Sequence, residues 1–103
     1  MENEEDNDDF VGGCEWKPIE DIKDPSLEVI AKFAISEYNK HKDSRLNFQT
    51  VVSGDKQLVG GINYRLVLNV NDGCNEGIKI YEVELFEQAW NDYRDLIYVK
   101  PIN

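Results

Sequence analysis

From Leu27 onward apolar residues return every three or four positions, at Leu27, Ile30, Ala31, Ala34 and Tyr38, with Val29 and Phe33 widening the stripe. Glu28, Lys32, Ser36 and Lys40 fall on the other side, the pattern of an amphipathic helix with one buried face. Asp24 and Pro25 mark its start, because the carboxylate can accept from free amides and proline is pre-shaped for the first turn. The spacing predicts one helix over about residues 25–40, ~24 Å long at 1.5 Å per residue.

Beyond it the period falls to two. Leu46 to Val52 is rich in β-forming residues. Ile62, Tyr64, Leu66, Leu68 and Val70 then alternate with Asn63, Arg65 and Asn69, Val67 being the apolar exception. Ile78 to Phe86 and Tyr93 to Val99 complete the strands, with a turn at Asn71, Asp72, Gly73 and Asn75. One apolar helix stripe and one apolar sheet face are best buried against each other, which predicts an α+β domain, an antiparallel sheet of four to five strands wrapped around one long helix.

Meander connectivity puts alternate loops at the same end of such a sheet. The loop around Asp55 to Leu58 and the loop around Gln88 to Asn91 are expected together, with the Asn71 to Glu76 turn at the other end. Between two strands stands Gln57, Leu58, Val59, Gly60 and Gly61, an uncharged apolar tip on a strongly acidic chain, and it reads as a contact surface. Trp90 in the second loop has polar neighbours, Gln88, Asn91 and Asp92, which argue for exposure over a place in the core. Upstream, Phe10 and Val11 precede Gly12 and Gly13, a glycine pair suited to a swinging arm, and Trp16 to Ile22 reads as an extended stretch containing Pro18.

Length and charge narrow the function. A chain of 103 residues with 41% hydrophobic content makes one domain, assigned to residues 10–103. Residues 1–9 hold Glu2, Glu4, Glu5, Asp6, Asp8 and Asp9 without a basic residue and read as a disordered acidic tail. The net charge of −10 repels phosphate backbones and anionic lipid heads, so neither nucleic acid nor membrane is an expected partner. No run approaches the roughly 18 apolar residues of a spanning helix, and no secretory leader heads the chain. That is the pattern of a cytosolic protein or of a mature secreted or vacuolar form.

Catalytic chemistry has no foothold in this pattern. His41 is the single histidine, at the helix end where an imidazolium favours the dipole, and with two distant cysteines it makes neither a metal site nor a Cys/His couple. No pair among the 21 carboxylates stands out as an acid and base. No catalytic residue, metal or cofactor is expected. In the predicted topology Cys14 and Cys74 sit a strand apart, ~33 Å against the ~6 Å between Cα atoms that a bridge needs, so two free thiols are expected.

The chain resembles the plant cystatins, inhibitors of papain-type cysteine proteases. Ile30 to Asn39, Ile-Ala-Lys-Phe-Ala-Ile-Ser-Glu-Tyr-Asn, matches the helix signature of the plant group, and Gln57 to Gly61 its Q-x-V-x-G loop. Gly12 and Gly13 match the glycine pair of its N-terminal trunk, and Trp90 the tryptophan of a Pro-Trp pair, with Ala89 in place of the proline. The likeness runs from about Phe10 to Pro101. It departs at Cys14 and Cys74, and the residues after Pro101 do not match the C-terminal extension through which some plant cystatins inhibit legumains.

The resemblance implies reversible, tight-binding inhibition by occlusion of the protease cleft, with protease-binding residues Val11, Gly12, Gly13, Gln57, Leu58, Val59, Gly60, Gly61, Ala89 and Trp90. Gly61 is expected to bring the loop close to the cleft for want of a Cβ, with Val59 as an apolar contact and Gln57 a neutral polar one. Ala89 is expected to leave the second loop less stiff than proline would. The partners implied are papain-like cysteine proteases, met by a monomer with a domain-swapped dimer as an accessible variant. The alternative is a non-inhibitory binding protein on the same fold.

Overall fold

A computed structural model describes residues 15–73 and 77–102. The expected disordered tail, the Gly12–Gly13 arm and both cysteines, Cys14 and Cys74, lie outside the described residues. The helix α1 spans Pro25–Lys42. Asp24 caps it, accepting from the Ser26 amide at 3.0 Å and from the Ser26 hydroxyl at 3.0 Å. These two hydrogen bonds, the amide first, hold the Asp24 carboxyl below the usual carboxylate range. The helix ends two residues later than the spacing predicts, in a last turn of Lys40, His41 and Lys42 that suits the dipole, with Asp43 left-handed beyond it.

Asn39 then locks the exit from the helix. Its side-chain amide donates to the Leu46 carbonyl at 2.9 Å while its oxygen accepts from the Leu46 amide at 3.0 Å. A residue of the helix signature therefore fixes where the sheet begins.

Five strands follow the order β1-β2-β3-β4-β5, every neighbour antiparallel. They are β1 (Lys17–Pro18), β2 (Asn47–Leu58), β3 (Ile62–Asn71), β4 (Ile78–Gln88) and β5 (Tyr93–Pro101). The expected extended stretch over residues 16–22 contributes only two paired residues, Lys17 opposite Lys56 and Pro18 opposite Asp55. β2 is longer than its composition suggests. Ser53 to Lys56 is polar and contains Gly54, yet its ladder with β3 continues through Gln57 opposite Asn63 and Leu58 opposite Ile62. The expected loop at Asp55 to Leu58 is therefore strand, and the turn itself shrinks to Val59, Gly60 and Gly61.

Leu27, Ile30, Ala31, Ala34 and Ile35 of α1 are buried with Leu46, with Leu66, Leu68 and Val70 of β3, and with Val83 and Leu85 of β4. Burying one leucine of this kind stabilises by ~1.5–3 kcal/mol. Tyr38 meets Tyr81 edge-on with ring centroids 6.5 Å apart, closing one side. Val29, expected to widen the stripe, is instead 51% exposed, because the twisted sheet meets a narrower sector of the helix than the apolar positions span. Val67, the exception in the alternation, lies on the face turned away from α1, one residue out of phase with Leu66 and Leu68.

Candidate functional site

The β2–β3 and β4–β5 turns stand side by side at one end of the sheet, since Ile62 is paired with Glu87 across the central ladder. In the first turn the Val59 amide donates to the Gly61 carbonyl at 3.1 Å. Gly60 has φ +68 and open space where a Cβ would be. Gly61 has φ +151, and a Cβ there would lie 2.6 Å from the Glu87 carbonyl oxygen and 2.7 Å from the Phe86 ring. Both positions need glycine, for different reasons. Gly61 is buried and the space left by its missing side chain is filled by the second hairpin, while Gly60 is the open one.

What the first tip presents outward is apolar. Leu58 is 50% exposed and Val59 37%. Gln57, just below, accepts at its side-chain oxygen from the Asn63 side chain at 2.8 Å, tying the two strands under the tip.

The second tip is a single 3-10 turn, Ala89–Asn91, closed by the Asp92 amide donating to the Ala89 carbonyl at 3.1 Å, with Asp92 left-handed at φ 51. Trp90 stands on it 70% exposed, the reading its polar neighbours favoured. Gln88 joins the tips. Its side-chain amide donates to the Gly60 carbonyl at 2.7 Å, and its oxygen accepts from the Asn91 side chain at 2.9 Å. The base of this turn is packed by Phe86 edge-on to Tyr93, centroids 6.3 Å apart, and by the Arg94–Glu87 ion pair at 2.9 Å. Burial, with the Glu87 charge adding to it, pushes the Tyr64 hydroxyl above its ordinary range, so this phenol stays neutral.

The fold thus brings together Gln57, Leu58, Val59, Gly60, Gly61, Ala89 and Trp90, while Val11, Gly12 and Gly13 lie outside the described residues. Gln88 is the member that sequence reasoning passed over, weighing it only as a polar neighbour of Trp90. A long amide flanking an exposed tryptophan carries no signal of its own. Its importance comes from the Gly60 carbonyl, 28 residues away in the chain.

Leu58, Val59 and Trp90 give the edge apolar surface for burial, and among the described residues no cluster of three or more His, Cys, Asp or Glu could hold a metal ion. Residues 19–102 match the family described as SQAPI, aspartic acid proteinase inhibitor, a span that takes in the helix and both tips. The chain is 45% identical over 94 residues to cysteine proteinase inhibitor 5 of Arabidopsis thaliana, covering 90% of this chain and 74% of that protein. It is 40% identical over 81 residues to cysteine proteinase inhibitor 1 of Actinidia chinensis var. chinensis, with 79% and 68% covered. With cysteine proteinase inhibitor 8 of Oryza sativa subsp. japonica it shares 35% over 92 residues, 89% of this chain and 72% of the relative. By these matches the chain belongs to the plant cystatin family, whose members are proteinase inhibitors and not enzymes.

Proposed function

We propose that this protein is a reversible, tight-binding inhibitor of cysteine proteases of the papain-like class, acting as a monomer by seating the two tips and the N-terminal arm in the active-site cleft. The observation that carries the reading is the joined edge: Leu58 and Val59 on one tip, Trp90 on the other, and Gln88 holding both in one arrangement. An edge held in one arrangement before docking loses little conformational freedom on binding, and so keeps more of the interaction as affinity. Trp90 has the profile of a hot spot, a large aromatic left mostly exposed by its own chain. Gln57, neutral and already hydrogen-bonded to Asn63, can be desolvated without stranding a charge. No covalent step is involved.

The name of the matching family points to aspartic proteinases and the names of the relatives to cysteine proteinases. The apolar side chains of Leu58, Val59 and Trp90 favour a cleft closed by shape and apolar contact. Titration against papain and, in parallel, against pepsin separates the classes. Stoichiometric inhibition of papain, reduced by deleting residues 1–12 and replacing Gln57 and Val59, is the expected result. Inhibition of pepsin alone, or papain inhibition unchanged in that variant, overturns the assignment. Size-exclusion chromatography of the active material checks that it is a monomer.

A further inference from the structure

On the sheet face turned away from α1, the Trp16 ring covers the guanidinium of Arg65, with the Arg65 Cζ 3.9 Å from the ring centroid. Arg65 stands on β3, and two carboxylates of β4 hold it there, Glu82 Oε2 at 3.8 Å from Nε and Glu84 Oε1 at 3.6 Å from Nη2. Its Nε is buried without a hydrogen bond, so charge and stacking fix the group. Lys100 of β5 approaches Glu82 at 3.8 Å, extending the array over three strands. None of these residues belongs to the two tips.

The array matters because of where Trp16 sits in the chain. β1 is only two residues long, one of them a proline without an N–H, and Ile19 adds a single amide bond to the Gly54 carbonyl at 2.9 Å. A ladder this short does not hold a segment by itself. Because β1 is antiparallel to β2, with Lys17 opposite Lys56, each step toward the N-terminus moves one residue nearer the first tip. Continuing that register by one residue brings Trp16 level with Gln57, at the foot of the first tip. Trp16 is therefore the last aromatic hold before the arm.

We propose that the stack of Trp16 on Arg65, braced by Glu82 and Glu84, is the clamp that sets where the N-terminal arm enters the inhibitory edge, making Trp16 and Arg65 positioning residues for protease binding. This rests on the inhibitory reading above. Held at Trp16, the chain is anchored on the same end of the sheet as the tips, so whatever precedes it starts from a fixed point beside them. A tryptophan face over a guanidinium suits the task, being attractive in water and indifferent to hydrogen-bond direction.

The test combines two readouts. Papain inhibition is measured for the unaltered chain, Trp16→Ala and Trp16→Phe, each also in a chain lacking residues 1–13. The expected result is a loss of about tenfold in affinity for Trp16→Ala, mainly through faster dissociation. Trp16→Phe retains most of the affinity, and Trp16→Ala has no effect once residues 1–13 are gone. An equal loss in the long and short chains, or none in either, overturns the clamp, since a tryptophan that merely supported the sheet would act regardless of the arm.

The second readout involves no protease: a nitroxide on Cys14, in a Cys74→Ser background, is expected to move faster in Trp16→Ala than in the unaltered chain or Trp16→Phe. Identical spectra overturn the proposal. An unaltered chain that leaves papain active overturns the functional reading instead, and the spectra then decide the clamp separately.

Discussion

The two tips at this end of the sheet solve one problem in opposite ways. The β2–β3 tip is made of backbone: three residues, two of them glycines at positive φ, with small aliphatic side chains at its surface. The β4–β5 tip is made of side chain: one 3-10 turn lifts Trp90 into solvent and relies on Gln88, Asn91 and a left-handed Asp92 for its shape. The first is rigid because Gly61 is pressed against β4, the second because its flanking glutamine reaches back to Gly60. Neither tip has its shape alone. Stiffness at this edge belongs to the pair, so the absence of a proline before Trp90 costs the second loop less than the residue type suggests.

The contrast can be broken most severely at Gly61. Gly61→Ala places a methyl 2.6 Å from a backbone oxygen at a φ that disfavours side chains, and is expected to destabilise the fold by at least ~2 kcal/mol and to separate the tips. Gly60→Ala, with nothing near the new methyl, is expected to cost only ~1 kcal/mol from its backbone alone. Urea unfolding of the two variants measures the difference, and equal losses would show that the tips do not lean on each other.

Trp90→Ala is next. It should leave the unfolding curve unchanged, because the ring is solvent-exposed, yet weaken papain inhibition by about 30-fold, or ~2 kcal/mol. A shift in melting temperature with unaltered inhibition would mark Trp90 as structural. Gln88→Ala removes the staple and is expected to cost ~1 kcal/mol of binding, with Trp90→Ala contributing less on top of it than by itself. A double-mutant cycle on inhibition constants reads that coupling, and strict additivity would argue against a shared edge.

The smallest effect sharpens the comparison. Gln88 is already extended, at φ −120 and ψ 97, so only a modest rise in ψ separates it from the conformation preferred before proline. Ala89→Pro is therefore expected to be accommodated, raising stability by ~0.4–1 kcal/mol through the unfolded chain, with at most a slight gain in inhibition. Thermal unfolding beside the inhibition assay checks it. A large gain would mean that Gln88 does not substitute for the missing proline.

Much of this architecture was legible in the chain. The 3.6-residue period from Leu27 to Tyr38 and the Asp24–Pro25 start located α1, and the alternation from Ile62 to Val70 located β3, because each pattern reflects a local geometry meeting one apolar neighbour. The far half of β2 was not legible. Ser53, Gly54, Asp55 and Lys56 have turn-like composition, and they are strand only because β3 lies alongside to accept their ladder. Gln57 and Trp90 could be chosen from motif and exposure, whereas Gln88, Trp16 and Arg65 could not, since each acts on a group distant in the chain or across the sheet.

By itself the sequence determined the periods: which residues turn inward, where the helix starts, and that an uncharged run, Gln57 to Gly61, lies between two strands of an acidic chain. Only the tertiary structure decided that Gly61 faces the second hairpin and Gly60 the solvent, that Gln88 ties the tips, and that Trp16 rests on Arg65. The physical reason is that periodicity records a residue's relation to its own strand or helix, while a close approach, a staple or a stack depends on strand register and pairing. Those are set when the sheet closes around the helix.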